Sequence, residues 1–135
     1  MALKNLNHHR AAFALKKVSQ AANTLGNDKK YYRSYVKKMP SLILNSGLVA
    51  AMAFAKKQKD EGKSKGYKLI YNSLFAWLRP PHAGLLQTDK NDFLHALLDK
   101  NSHTVRLLTK ESIALLGWLK RMAEAEIEEE ADNND

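Results

Sequence analysis

The chain has 135 residues, a formal net charge of +8 at pH 7 and no cysteine. Its length suits one domain with a single core, and the lack of cysteine excludes disulfides and thiolate zinc sites. The N-terminus lacks the apolar run of a signal peptide, and no stretch of about 20 residues is apolar enough to span a bilayer, so we expect a cytoplasmic protein.

Charge is unevenly distributed along the chain. Residues 1–80 carry 16 Lys and Arg against 3 Asp and Glu, whereas residues 81–135 carry 6 against 11. Seven of those acidic residues lie in 124–135. A basic body with an acidic tail indicates a polyanionic partner such as nucleic acid, and the alternative interpretation is that the charge serves solubility alone.

The first predicted helix runs over about 3–22, where apolar residues recur at helical spacing. Leu15 and Val18 belong to the stripe expected to face inward. A second face combines Leu6 and Phe13 with basic residues. This mixed face is either a second packing surface within the monomer or a contact for another chain.

A short second helix is expected over about 28–38, with its lysines facing outward. Tyr31 or Tyr32 is a candidate for stacking on a nucleic-acid base, although tyrosines at helical spacing more often belong to a core or its rim. The residue before Pro40 resists the α conformation, so this helix is predicted to end there.

The stretch from Pro40 to Lys57 is predicted to be the buried central helix of the bundle (about 40–57). Its apolar residues do not alternate and are not restricted to one stripe, a pattern typical of a helix buried on all sides. Proline suits a first helical turn. Gly47 is expected to allow a second helix to come close.

The remaining predicted elements complete an all-α, compact single-domain bundle of about six helices. A lysine-rich loop over 57–66 leads to a fourth helix, about 67–78, which the prolines at 80 and 81 end. A fifth helix is expected over about 91–100, and a last one from near Ser102 with a break at Thr109 and a close crossing at Gly117. Residues 1–130 are interpreted as one helical domain and 131–135 as an acidic disordered tail.

No catalytic signature is present: the sequence has no phosphate-binding glycine loop, no HExxH and no Gly-x-Ser-x-Gly. Asp92, His95 and Asp99 share one predicted helical face, where carboxylate and imidazole groups can hold a divalent ion, but such residues also populate ordinary solvent faces. No second helix supplies further ligands. We therefore predict no enzyme activity, no metal and no cofactor.

Two stretches are more specific than composition, and their order and spacing carry a resemblance. They are Tyr35-x-Lys-Lys-Met-Pro-Ser-Leu-Ile43, followed by Asn45-x-Gly-Leu48 and Ala53-Phe54, and Thr109-x-Glu-Ser112 through Leu115-Leu-x-Trp-Leu-Lys-Arg-x-Ala123. Together with Arg10-Ala11, they resemble the small helical subunit of type III-B CRISPR–Cas effector complexes, the Cmr complexes. The similarity extends over about 6–124.

The resemblance implies a compact all-α protein that stacks in several copies inside a filament-like complex, beside the backbone subunits. Its basic faces would line the channel that holds the guide RNA and its RNA target. Target cutting is attributed to the backbone subunits, and DNA cleavage and cyclic-nucleotide signalling to the large subunit, so the small subunit is expected to be non-catalytic.

The leading hypothesis is therefore a small subunit that binds guide and target RNA through phosphate contacts, which give affinity without reading sequence, and that contacts other subunits, including copies of itself. The predicted phosphate contacts are Arg10, Lys16, Lys17, Lys37, Lys38, Lys56, Lys57, Lys65 and Lys68. One alternative is a protein-only assembly adaptor that docks its neighbours through the Leu6/Phe13 face and the acidic tail. Another is a helical metalloenzyme using Asp92, His95 and Asp99.

Overall fold

The computed structural model describes residues 3–128, with side chains from residue 5 onward, and its regular elements are six α-helices and two short 3-10 turns. The helices are α1 (Leu3–Leu25), α2 (Lys29–Ser46), α3 (Leu48–Lys57), α4 (Lys65–Leu78), α5 (Phe93–Leu98) and α6 (Ser102–Glu126). The 3-10 turns, Gly26–Asp28 and Gly62–Ser64, precede α2 and α4. The prediction of an all-α fold of about six helices is confirmed. The predicted acidic tail, 131–135, lies outside the described residues.

The predicted central helix, about 40–57, is wrong in its bounds. Pro40 lies inside α2, and the chain breaks instead at Gly47, whose φ of 92° and ψ of 158° are not helical. A proline removes one hydrogen bond but has a φ compatible with a helix, whereas this glycine conformation is almost closed to other residues. The stretch is also not buried all round, because Leu44 is 71% exposed.

The close helix crossing occurs at Gly66, at the start of α4, and at neither of the predicted glycines. An added Cβ at Gly66 would lie 3.1 Å from the Cα of Tyr32 and 3.1 Å from Cδ2 of Tyr35. A Cβ at Gly47 would meet nothing within 4 Å, and one at Gly117 only the Arg121 guanidinium at 3.6 Å. Gly66 therefore fixes how closely α4 approaches α2.

The core is built on α6, which packs along α1 and α2. Its buried residues include Leu108, Leu115, Leu116, Leu119 and Ala123. The break predicted at Thr109 is absent, because α6 is continuous and the Thr109 hydroxyl donates to the Val105 carbonyl, 2.7 Å away. The Thr109 side chain is thus satisfied within the helix and does not begin a new one.

On α1 the buried face differs in part from the predicted stripe. Val18 is buried as predicted, but Leu15 is exposed, while Phe13 and Ala14 are buried. The mixed face that contains Phe13 is therefore a packing surface within the monomer, as one of the two interpretations held. Leu6 also packs against the core.

The connection between α4 and α5 folds back onto the end of α4. The backbone amides of Ala83 and Leu86 donate to the carbonyls of Trp77 and Leu78, at 2.9 Å each. These bonds satisfy carbonyls that the end of a helix leaves without partners, and they hold His82 beside Trp77. The fifth helix is shorter than predicted, and Leu98 at its end is exposed.

Candidate nucleic-acid interface

A cavity of about 390 Å³ lies between α1, α4 and the loop that follows α4. Its lining combines apolar, aromatic and basic side chains: Leu6, His9, Ala12, Phe13, Lys16, Lys17, Ala76, Trp77, Pro81 and His82. The helical spacing of His9, Phe13 and Lys16 places them on one side of α1. The lining is completed by the last turn of α4 and by the loop that folds back on it.

Three aromatic rings form one cluster at this cavity. The ring centroid of Phe13 is 5.0 Å from that of Trp77 and 4.8 Å from that of His82, and the His82 and Trp77 rings are stacked at 5.8 Å. Phe13 and Trp77 are buried, whereas His82 is exposed. His82 is therefore the member of the cluster that a molecule entering the cavity can reach most readily.

The local field at the cavity is positive. Burial lowers the pKa of His82 below its ordinary value, and the charges of Lys17 and Lys16 lower it further. The imidazole is thus held neutral at pH 7. Lys16 is exposed, and the Nζ of Lys17 lies 5.4 Å from the Phe13 ring centroid.

A further, smaller cavity lies between α1 and α4. This second cavity, of about 110 Å³, shares Lys17 with the first and is also lined by Gln20, Thr24 and Asn72. These side chains supply hydrogen-bond donors and acceptors. The two cavities are therefore neighbours along α1, with Lys17 at the border of both.

A second basic and aromatic surface lies where α2, α3 and α4 meet. The ammonium groups of Lys30 and Lys63 lie 5.4 Å and 5.1 Å from the ring centroid of Tyr31. Of the two tyrosines proposed for base stacking, Tyr31 is half-buried, but Tyr32 is fully buried and has no accessible ring face. Tyr32 is therefore wrong as a stacking candidate.

Two further tyrosines, neither of which was predicted from the sequence as a stacking residue, extend this surface. The rings of Tyr35 and Tyr67 stack at 3.8 Å, and Phe54 meets Tyr67 edge-on at 5.2 Å. Burial raises the pKa of both tyrosines. The i, i+4 spacing of Tyr31 and Tyr35 indicates a shared face, but no local pattern reveals the approach of α4.

Arg10 is not a surface cation, which corrects its prediction as a phosphate contact. Its Nε and Nη2 donate to the two carboxylate oxygens of Glu111 at 2.7 Å each, and Trp77 Nε1 donates to the same carboxylate at 2.8 Å. Only 12% of the Arg10 side chain is exposed. The guanidinium therefore joins α1 to α6 and is not available to a partner.

The other predicted contacts divide into paired and exposed lysines. Lys56 forms an ion pair with Asp92 at 3.0 Å, and Lys68 donates to the Lys56 carbonyl. Lys65 lies 4.0 Å from the Asp60 carboxylate. The lysines that remain exposed to solvent are Lys16, Lys37, Lys38 and Lys57.

Asp92 has a structural role that the metal hypothesis did not anticipate. Its oxygens accept hydrogen bonds from the Tyr71 hydroxyl, the Lys56 ammonium and the His95 backbone amide. Burial by itself would raise the pKa of Asp92, but these bonds outweigh it and lower the pKa. Among residues 3–128, no three His, Asp or Glu side chains converge as a metal site.

The described helices include none that is long and apolar enough to cross a bilayer.

The fold defines the class first: a small all-α protein with six α-helices among its described residues. Comparison with known proteins then gives the family. The family model for the CRISPR-associated protein Cas_Cmr5 matches residues 6–126, so the chain belongs to the Cmr5 family. It is similar to the crystal structure of a CRISPR-associated Cmr5 family protein from Thermus thermophilus, with 28% identity and a TM-score of 0.72 over 95% of this chain and 100% of that one. The resemblance to the small Cmr subunit is confirmed.

Proposed function

We propose that this Cmr subunit is non-catalytic and binds the guide and target RNA through phosphate contacts while it bridges neighbouring subunits in the cytoplasm. The observation that carries the proposal is the exposure of four lysines on α1, α2 and α3. Lys16, Lys37, Lys38 and Lys57 are exposed, and none has a carboxylate within ion-pair distance among the described residues.

Such lysines act on RNA mainly through counterion release. Each ammonium that neutralises a phosphate frees condensed cations, so affinity falls linearly with salt on a logarithmic scale and does not depend on base sequence. Arg10 is held in a largely buried ion pair, and Lys56 and Lys65 already have a carboxylate within 4.0 Å, which makes them weaker candidates for a phosphate contact. We therefore assign the phosphate contacts to the four exposed lysines and to Lys17.

The proposal is tested by filter binding of RNA over a salt series with the assembled complex, because a subunit that acts in an array binds weakly alone. Each of Lys37→Ala, Lys38→Ala and Lys57→Ala should flatten the slope of log affinity against log salt by about 0.7–0.9 for every copy of the subunit that contacts the RNA. Lys90→Ala is the matched control, since Lys90 lies 3.8 Å from Asp99. Unchanged slopes for all three variants would refute the phosphate contacts.

A second candidate function is a protein-only adaptor, and exposed leucines favour it. Leu44, Leu98 and Leu107 are 71%, 68% and 45% exposed, and Leu107 borders a cavity of about 590 Å³ that Leu48 also lines. The Leu6/Phe13 face first considered for docking is instead packed in the monomer. Leu107→Glu should then prevent assembly while RNA retention stays intact, and Ala53→Glu, also at an exposed position, is the control.

A further inference from the structure

We propose that the cavity between α1 and the loop after α4 binds one unpaired nucleotide of the RNA, with its base against His82 and its phosphate on Lys16. This inference rests on the proposed RNA-binding function and adds a recognition step that phosphate contacts do not provide. It gives the subunit a means of distinguishing an unpaired nucleotide from a continuous duplex.

The size and shape of the cavity suit a single nucleotide. Its volume of about 390 Å³ lies near the lower end of the range of about 300–1,000 Å³ found for small-molecule sites. The floor is apolar and aromatic, since Phe13 and Trp77 are buried beneath it. A flat aromatic base matches such a floor, whereas a paired base remains stacked within its duplex and is not free to enter.

His82 provides the ring on which a base can stack. It is exposed, it borders the cavity, and its orientation is fixed by stacking at 21° on Trp77 and by edge contact with Phe13. Because the ring is already held in place, little side-chain entropy is lost when a base binds. Stacking on aromatic side chains is how proteins commonly hold unpaired bases.

The charged groups around the cavity suit the phosphate of the same nucleotide. Lys16 and Lys17 lie one helical turn beyond Phe13 and two turns beyond His9 on α1, and all four side chains line the cavity. An ammonium beside an aromatic surface supplies both parts of nucleotide recognition. A purely apolar peptide would leave the lysines without a partner, and an acidic peptide would leave the aromatic surface unused.

The test uses the isolated subunit at low salt, where its phosphate contacts are strongest, and compares two short RNA duplexes that differ at one position. One carries a single unpaired adenosine, and the other carries an abasic site there. The wild-type protein should bind the adenosine duplex roughly five- to hundredfold more tightly, the contribution of one stacked base. His82→Ala should bring this ratio close to one, His82→Phe should restore it, and Lys90→Ala should leave it unchanged. Lys37→Ala should weaken both duplexes together.

A second measurement uses Trp77 as a reporter. In a Trp118→Phe background Trp77 is the only tryptophan, and the adenosine duplex should change its fluorescence saturably, whereas the abasic duplex should not. Titration with free AMP separates the two possible sources of the nucleotide. A response to AMP without discrimination between the duplexes would overturn the strand-bound nucleotide and indicate a free-nucleotide site.

Failure of this inference is distinguishable from failure of the proposed function. Equal affinity for the two duplexes, with salt slopes that still respond to Lys37→Ala, would refute the nucleotide site and leave the phosphate contacts in place. If the salt slopes are the same in the lysine variants as in the wild type, while the Trp77 fluorescence still depends on the base, only the phosphate contacts are refuted. Circular dichroism of each variant confirms that the helical fold is retained.

Discussion

Replacement of Glu111 tests the ion pair that joins α1 to α6. Its carboxylate is 9% exposed and accepts three hydrogen bonds, two from the Arg10 guanidinium and one from the Trp77 indole. Glu111→Ala leaves a largely buried guanidinium without its counter-charge. Removing one partner of a buried ion pair costs about 3–5 kcal/mol, and an unsatisfied indole N–H costs about 1–3 kcal/mol.

These two penalties do not add, because water that enters the vacated space can solvate both donors. Since the pair is slightly exposed, we expect a loss of about 3–4 kcal/mol, a large part of the roughly 5–15 kcal/mol by which a domain is stable. With a urea m-value of about 1–3 kcal/mol/M, the unfolding midpoint should fall by about 1–4 M. Circular dichroism during urea titration measures this shift.

Two comparisons make the result decisive. Glu124→Ala removes an exposed carboxylate from the same helix and should change stability by no more than about 0.5 kcal/mol. The double variant Arg10→Met with Glu111→Leu should be more stable than Glu111→Leu alone, because no unpaired charge remains. Equal midpoints for Glu111→Ala and Glu124→Ala, or a double variant as unstable as the sum of its single changes, would refute the reasoning.

Three further predictions concern backbone geometry and a titrating group. Gly66→Ala should destabilise the fold by about 1–3 kcal/mol because the added Cβ meets the backbone of α2. Gly117→Ala has room for the methyl group and should stabilise the fold by up to about 1 kcal/mol. Equal effects of the two substitutions in urea titrations would contradict this. Gly47→Ala should cost about 1–3 kcal/mol in the same assay through strain at its positive φ, and a neutral result would argue against it. Because burial and two lysines lower the pKa of His82, the unfolded chain binds its proton more readily, so stability should fall as the pH drops below about 6.5. Lys17→Met should raise that pKa towards its ordinary value in an NMR titration, and an unchanged value would contradict the stated cause.

The helices were largely predictable from the sequence because their apolar residues recur with helical period. The end of α4 before the two prolines followed from the chemistry of proline itself. The wrong helix boundary at Pro40 has a physical origin. A proline inside a helix costs a finite free energy, and the burial of Val36, Met39 and Ile43 of α2 in the protein core outweighs that cost. Local preferences are a weak guide where tertiary packing is strong.

The candidate site was predictable only in part. The sequence indicated that a basic body without a catalytic motif would contact phosphates, and it selected Lys16 and Lys17. It also placed Arg10 on the same surface, because a periodic pattern does not reveal that Glu111 comes within 2.7 Å of it. His82 was not predicted as a site residue, because no pattern in the sequence indicates that this loop residue contacts Trp77 and Phe13.

The sequence by itself determined the class of the protein: its apolar period sets the helices, its lysines set the sign of its field, and its motifs carry the family resemblance. Only the tertiary structure decided which cations remain available to a partner. Whether a charge is neutralised depends on contacts between residues far apart in the chain, as for Arg10 and Glu111, which are 101 positions apart. Such contacts are fixed when helices pack, and the local periodicity that forms each helix does not encode them.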